Sequence, residues 1–234
     1  MTMFESHLSQ NNFNPSPQVE FLKRLSPLMR QGCAKAAAEL IVQHWPTAEL
    51  CTFASSRDTD VAALAIDALA LCGDKSAIAK LQCLLRKPRP DIHRRAENAL
   101  WSIWFRSGSA QAVSHLKCGL KHLEHENYLT AANQFSLAFD ADPTFSEAIN
   151  QRAIAYYLLG RYREAIDDCL QVIALMPPHF GALAGMGHCH AQQGQFQAAR
   201  SAYCRSLAIY PYMDGVQQSL SDVEALIHRQ KPAA

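Results

Sequence analysis

Histidine and cysteine are the side chains of this chain that could bind a transition metal, and half of the ten histidines lie at two places. These are His115, His122 and His125 on one predicted helix, and the consecutive His188, Cys189 and His190 on another. Zinc needs about four converging ligands, often from i, i+3 or i, i+4 pairs. His122 and His125 have that spacing, but two ligands do not make a site. We therefore predict no bound metal and no cofactor.

Catalysis finds little support in the sequence. Asp167 and Asp168 form a carboxylate pair, but neighbouring residues on a helix point to different faces. A glycine-rich phosphate loop, a GxSxG elbow and an HExxH motif are all missing from the sequence. We therefore predict that the protein is not an enzyme.

Basic residues cluster at one predicted turn. The cluster contains Arg86, Lys87, Arg89, His93, Arg94 and Arg95. It could contact phosphate or nucleic acid. The whole chain has 22 basic and 21 acidic residues, a formal charge of +1, so a solvated turn is the favoured interpretation and nucleic-acid binding an unfavoured alternative.

Two further properties concern the cellular compartment. The eight cysteines are scattered and form no CxxC pair, which favours reduced thiols that pack as small apolar groups. The first thirty residues show no signal-peptide pattern, and no apolar run approaches the roughly 20 residues of a membrane helix. The sequence therefore predicts a cytoplasmic protein with no membrane partner.

A repeat of 34 residues, from about residue 112 to 211, must position any functional side chain. Five columns stand in register over three units. They are Gly119, Ala153 and Gly187; Tyr128, Tyr162 and Phe196; Ala131, Ala165 and Ala199; Phe139, Ile173 and Leu207; and Pro143, Pro177 and Pro211. Each unit has the pattern of two antiparallel helices whose small residues let the helix axes approach closely.

This period and these columns resemble the tetratricopeptide repeat (TPR). The resemblance implies an all-α solenoid with units at about 112–145, 146–179 and 180–213, in a domain spanning 109–230. Helices are expected at about 146–159 and 162–176 in the second unit, with Gly160 and Gly194 in left-handed positions at helix ends. An amphipathic helix at 214–229 would cap the stack.

The residues before the repeat form a different helical pattern. Residues 1–17 are polar and predict a mobile tail. From Thr47 to Gly108, Asp60-Val61 aligns with Asp91-Ile92, and Ala68-Leu69 with Ala99-Leu100. This pattern resembles the HEAT-like repeats of bacterial scaffold proteins, which we assign to 18–108. The short linker Ser107–Ser109 favours one continuous superhelix, with Trp101, Trp104 and Phe105 at the junction with the first hairpin.

A longer stretch, about 98–213, resembles one bacterial family of TPR proteins with no established activity. The matching residues are Trp101, Trp104, Ser107 and Gly108, then Asn150, Arg152 and Ala153, and then Pro178 to Leu183. This resemblance supports the fold and leaves the function open.

TPR arrays usually hold peptides in the concave groove lined by the first helix of each unit. The resemblance places Lys117, Leu120, Asn150, Gln151, Ile154, Tyr157, Ala184 and His188 in that groove. An Asn amide offers a donor and an acceptor, so Asn150 could pair with a peptide backbone, with room left by Gly181, Ala184 and Gly185. Asn150→Ala would then weaken the binding of a peptide by about 1–2 kcal/mol without lowering the melting temperature of the protein. The alternative is that Asn150 and Gln151 satisfy neighbouring helix ends.

These patterns predict a non-catalytic scaffold that binds a protein or an extended peptide. TPR domains that grip acidic chaperone tails need basic residues at two third-unit positions, where this chain has Gly181 and Gly185. That partner class is therefore not the leading prediction. The alternatives are a self-associating homo-oligomer, whose groove holds another copy or residues 1–17, and nucleic-acid binding through Arg86–Arg95.

Overall fold

The computed structural model describes residues 16–230, and these form thirteen α-helices and one short 3₁₀ turn. The predicted tail at 1–17 lies almost entirely outside the described residues. We call the first six helices the N-terminal layer. They are α1 (Pro17–Arg30), α2 (Ala34–His44), α3 (Thr47–Phe53), α4 (Thr59–Cys72), α5 (Ile78–Leu85) and α6 (Pro90–Arg106).

The remaining helices form the repeat layer. They are α7 (Ala110–Glu124), α8 (Tyr128–Ala141), α9 (Ser146–Leu158), α10 (Tyr162–Leu175), α11 (Phe180–Gln192), α12 (Phe196–Ile209) and α13 (Asp214–Gln230). Helices α7 to α12 form the three predicted antiparallel pairs, and α13 packs on α12. The predicted all-α solenoid is confirmed. Within the described part of the chain, no helix is both long and apolar enough to span a bilayer.

Small and left-handed residues shape the hairpins as the repeat predicts. A Cβ placed on Gly119 would lie 2.4 Å from the Phe135 ring, and one on Gly187 would lie 2.5 Å from the Tyr203 ring. Gly160 and Gly194 have φ values of 72° and 71°, and Glu126 occupies the equivalent place in the first unit at 60°. These residues end the first helix of each unit and let the chain reverse.

Local contacts set the ends of three helices in the N-terminal layer. Pro27 lies in the last turn of α1, which continues to Arg30. Thr47 is the first residue of α3, and its hydroxyl donates to Asp74 Oδ2 at 2.9 Å. Asp58 caps α4, because its carboxylate accepts from Asp60 N at 2.9 Å. Within this layer, α1 packs on α2, α3 on α4 and α5 on α6. The HEAT-like assignment stays a prediction.

Helix α6 joins the two layers by lying along the turns that connect successive repeat units. Near its carboxyl end, Gly108 lies against Phe145 of the first turn. Trp101 and Trp104 pack on Phe180, the first residue of α11 after the second turn, with centroid separations of 5.5 and 5.3 Å. Its amino-terminal half reaches Tyr210 in the third turn. The junction was predicted at the first hairpin, but it extends over all three turns.

Candidate functional site: the concave groove

The first half of the groove is closed by a buried hydrogen-bond network on α9. Glu147 is fully buried, and only 4% of Asn150 is exposed. The carboxylate of Glu147 accepts from Asn150 Nδ2 at 3.0 Å and from Gln151 Nε2 at 2.6 Å. The amide donors of Asn150 and Gln151 therefore bind within the protein, but to a carboxylate of their own helix and not to the neighbouring helix ends that the alternative interpretation named.

His179 completes this network from the turn before α11. Its Nδ1 accepts the backbone N–H of Ala182 at 3.0 Å, so in the neutral ring the proton is on Nε2. Nε2 then donates to Glu147 Oε2 at 3.1 Å. The ring also stacks on Trp104 of α6, with the centroids 4.2 Å apart. Glu147 thus holds three donors at the junction of the two layers.

The space expected beside Asn150 is filled by the protein itself. A Cβ on Gly181 would lie 2.6 Å from the Trp101 indole, so Gly181 leaves room for Trp101 and not for a ligand. Ala184, another predicted groove residue, is buried. We call Glu147, Asn150, Gln151, Gly181 and Ala184 the covered half of the groove.

The second half of the groove is accessible, and we call Ile154, Tyr157, Gly185, His188 and Gln192 the open half. Ile154 is 38% exposed, and Tyr157 and His188 are half-buried. Between α9 and α11 lies a cavity of about 230 Å³, mostly apolar, lined by Ala153, Ile154, Tyr157, Cys169, Gly185, His188 and Cys189. On α7, Lys117 is exposed and Leu120 is half-buried.

Burial favours the neutral forms of four titratable groups at or near this cavity. Burial lowers the pKa of His188, whose Nδ1 lies 2.8 Å from the Tyr203 hydroxyl. Burial raises the pKa of Tyr203 to about 12 and that of Cys189 to about 11, and it raises the pKa of Cys169 as well. The thiols are therefore protonated at neutral pH and unsuited to nucleophilic attack. The cavity offers an uncharged, apolar surface.

The carboxylate pair Asp167–Asp168 separates as the helix geometry predicts. Asp167 is exposed, whereas Asp168 is buried and accepts two hydrogen bonds from Arg152, at 2.8 and 2.6 Å. Arg152 also donates to Ser136 at 3.0 Å. Asp168 raises the pKa of Arg152 through these bonds. Through Arg152, the contacts with Asp168 and Ser136 therefore link α8, α9 and α10, which is a structural role.

Three arginines of the basic cluster bind within the protein. Arg86 donates to the Ala208 carbonyl, Arg89 pairs with Asp91 at 2.6 Å, and Arg95 pairs with Asp67. The two ion pairs reduce the positive charge that the cluster offers to a phosphate backbone, and the Arg86 contact occupies one of its donors. Nucleic-acid binding remains an unfavoured prediction.

Two of the histidines predicted not to bind metal lie within hydrogen-bond distance of glutamine side chains. His115 Nδ1 lies 3.1 Å from Gln134 Oε1, and His190 Nδ1 lies 2.6 Å from Gln195 Oε1. Over residues 16–230, no cluster of three or more His, Cys, Asp or Glu side chains could hold a metal ion.

Sequence reasoning missed Glu147 and His179 as the centre of the covered half. Glu147 lies three residues before Asn150 on the same helix, and its type and spacing gave no sign that it is fully buried. His179 directly precedes a helix, where its side chain can cap the first turn, and this position was a usable signal. The contact with Trp104 depends on residues far apart in the chain and leaves no local pattern.

Part of this chain is similar to a known protein family. Residues 144–211 match the family model described as tetratricopeptide repeat. A TPR repeat-containing protein of Rhizobium etli is 31% identical over 128 residues, covering 55% of this chain and 63% of that protein. DnaJ homolog subfamily C member 7 of Mus musculus is 27% identical over 123 residues, covering 53% of this chain and 25% of that protein. The chain thus spans less than two thirds of each relative.

Two solved structures share the fold of the repeat layer. The first TPR of Spaghetti (RPAP3), bound to an HSP90 peptide, has a TM-score of 0.51 at 23% identity and covers 51% of this chain and 95% of that chain. The Sgt2 TPR domain from Aspergillus fumigatus has a TM-score of 0.51 at 17% identity, covering 54% and 89%. At these identities the likeness shows the fold alone. Residues 144–211 therefore resemble tetratricopeptide repeats in sequence, and the repeat layer has their fold.

Proposed function

We propose that the protein is a non-catalytic scaffold that holds an extended segment of a partner protein in the open half of its groove. The observation that carries this proposal is the cavity of about 230 Å³ between α9 and α11. It joins three of the predicted groove residues, Ile154, Tyr157 and His188, around one opening. The predicted contacts with Asn150, Gln151 and Ala184 are not part of this proposal, because their side chains are buried.

The cavity suits a single apolar side chain of the partner. Its walls are neutral and mostly apolar, so a leucine- or phenylalanine-sized group would gain about 1.5–3 kcal/mol by burial there. At its rim, Gln192 Nε2 lies 3.4 Å from the Tyr157 hydroxyl, a long contact that a partner's backbone groups could replace. Lys117 and Leu120 would extend the contact along α7.

The chemistry of the groove favours an apolar anchor over an acidic tail. The RPAP3 domain named above is bound to the HSP90 peptide SRMEEVD, which carries three acidic residues. In this chain, two third-unit positions that would carry basic residues in such a groove are Gly181 and Gly185. Gly181 is covered by Trp101, and a Cβ on Gly185 would meet only the Cys169 sulfur, at 3.7 Å.

A random peptide library displayed on phage tests the proposal without a known partner. Wild-type protein should enrich peptides that share one large apolar residue. Gly185→Met should lose that enrichment, because the flexible side chain fills the cavity from a position with space for it. Leu137→Ala, on the exposed surface of α8, is the matched control and should select the wild-type peptides. Enrichment of the same peptides by Gly185→Met would refute the proposed site.

A further inference from the structure

A second cavity, of about 740 Å³, lies where the N-terminal layer meets the last turn of the repeat layer. Its walls come from the amino-terminal half of α6, from the turn between α12 and α13, and from His188. Because His188 also lines the apolar cavity of the open half, the two spaces adjoin on the surface of α11.

A chain of hydrogen bonds fixes the proton of His93 in this wall. The Tyr210 hydroxyl donates to Glu97 Oε2 at 2.9 Å, so its oxygen accepts the Nδ1–H of His93 at 3.1 Å. A neutral imidazole has one N–H, so Nε2 is a bare acceptor. Burial, helped by Arg94, lowers the pKa of His93 and keeps the ring neutral.

His93 is 5% exposed, and it lines the cavity. The hydrogen bonds described for residues 16–230 include none to its Nε2. The ring therefore presents an unused acceptor from a buried side chain whose orientation is fixed by Tyr210 on one side and by stacking on Tyr212, 4.3 Å away, on the other.

The charged groups around this acceptor are mainly acidic. The lining contains the carboxylates of Glu97 and Asp214 and one guanidinium, that of Arg94. Asp214 is exposed and has no ion pair within the described part of the chain. Acceptors and carboxylates together are matched by a cation with several N–H donors.

We propose that this second cavity binds a basic side chain, arginine or lysine, of the same partner segment whose apolar residue occupies the open half of the groove. This inference rests on the proposed function for the identity of the segment. The continuity at His188 places the two side chains on one chain, and the imidazole nitrogen and two carboxylates recognise the cation.

Acetyl-arginine amide, at millimolar concentration, is a probe for this site that needs no apolar anchor. Its matched control is acetyl-citrulline amide, which has nearly the same shape and no charge. In NMR spectra of the whole chain, the arginine probe should shift the His93 ring nitrogens and the amides of Gly215 and Val216. The citrulline probe should leave them unchanged.

Variants then assign the effect to the acidic groups. Asp214→Asn and Glu97→Gln should reduce the shifts to the citrulline level, and the amide oxygen introduced by Glu97→Gln would still accept from Tyr210. Asp222→Asn, an equivalent change on the same helix that does not line the cavity, should leave the shifts intact. If Glu97→Gln fails to fold, the exposed Asp214→Asn still decides. Equal shifts with both probes, no shift with either, or equal effects of Asp214→Asn and Asp222→Asn would overturn the proposal.

Peptides selected by phage display connect the two sites. Replacing their arginine or lysine by citrulline should weaken wild-type binding about fivefold, and Asp214→Asn should remove this difference. If citrulline costs no affinity, the two cavities do not bind one segment, and the inference fails. If arginine shifts the cavity signals while Gly185→Met binds peptides normally, the proposed function fails and the cation site stands.

Discussion

The two halves of the groove lie on the same two helices, yet they differ in chemistry and accessibility. The covered half contains a carboxylate with three donors and is sealed by two tryptophans of α6. The open half has apolar walls and neutral titratable groups. Polar groups at groove positions therefore do not identify a binding site in this protein, because here they donate to a buried carboxylate of the same layer, next to the tryptophans of α6.

The two halves should differ most in how far a substitution lowers the free energy of unfolding. Trp104, a residue of α6, is fully buried against the second turn. Trp104→Ala should lower the free energy of unfolding by about 3–5 kcal/mol, because it removes the stack on His179 and leaves a cavity. Urea denaturation measures this loss. Leu137→Ala, at an exposed site, should change stability by less than about 0.5 kcal/mol. A similar small loss for both variants would mean that α6 does not seal the groove.

Two glycines on α11 sharpen the comparison. Gly187→Ala should cost about 1–3 kcal/mol, because its Cβ would lie 2.5 Å from the Tyr203 ring. Gly185 faces the open cavity, so Gly185→Ala should stabilise the helix by up to about 1 kcal/mol. Thermal unfolding of the two variants should therefore shift in opposite directions. Shifts of the same sign would contradict the space assigned to the open half.

Asn150→Ala tests the covered half directly. It removes a hydrogen bond to a buried carboxylate, which should cost about 1.5–3 kcal/mol of stability. Affinity for a selected peptide should stay unchanged at a temperature where the protein is folded. The sequence alone predicted the reverse, weaker binding with unchanged stability. That result in paired calorimetry and binding experiments would restore Asn150 as a ligand contact.

The smallest effect should be a dependence of stability on pH. Burial lowers the pKa of His93 and of His188 in the folded state, whereas an unfolded histidine titrates near 6.5. As the pH falls below about 6.5, the unfolded state takes up protons first, and stability decreases until the lower folded pKa is passed. His188→Gln should make this decrease shallower, as urea titrations at several pH values would show. The exposed His228→Gln is the control, and an equal change there would argue against the effect of burial.

The repeat predicted its own helices closely because the period constrains them. The second-unit helices were expected at about 146–159 and 162–176 and are found at Ser146–Leu158 and Tyr162–Leu175. The small residues at 119 and 187 were also explained correctly, since a close helix approach is local to one hairpin.

The site was less predictable because its accessibility depends on long-range contacts. Whether Gly181 makes room for a ligand or for Trp101 cannot be read from the spacing of either residue. The short linker suggested a continuous superhelix, but it does not determine that α6 lies along the later turns. Ile154, Tyr157 and His188 lie together because the helix period places them there, so these three could be found from the sequence.

Hydrogen–deuterium exchange with and without a selected peptide is the most direct test of the division between the halves. We expect added protection at residues 153–159 and 185–192, with no change at 146–151 and 179–184. Protection at 146–151 and 179–184 would contradict this expectation, because a peptide could reach those residues only if α6 left the groove.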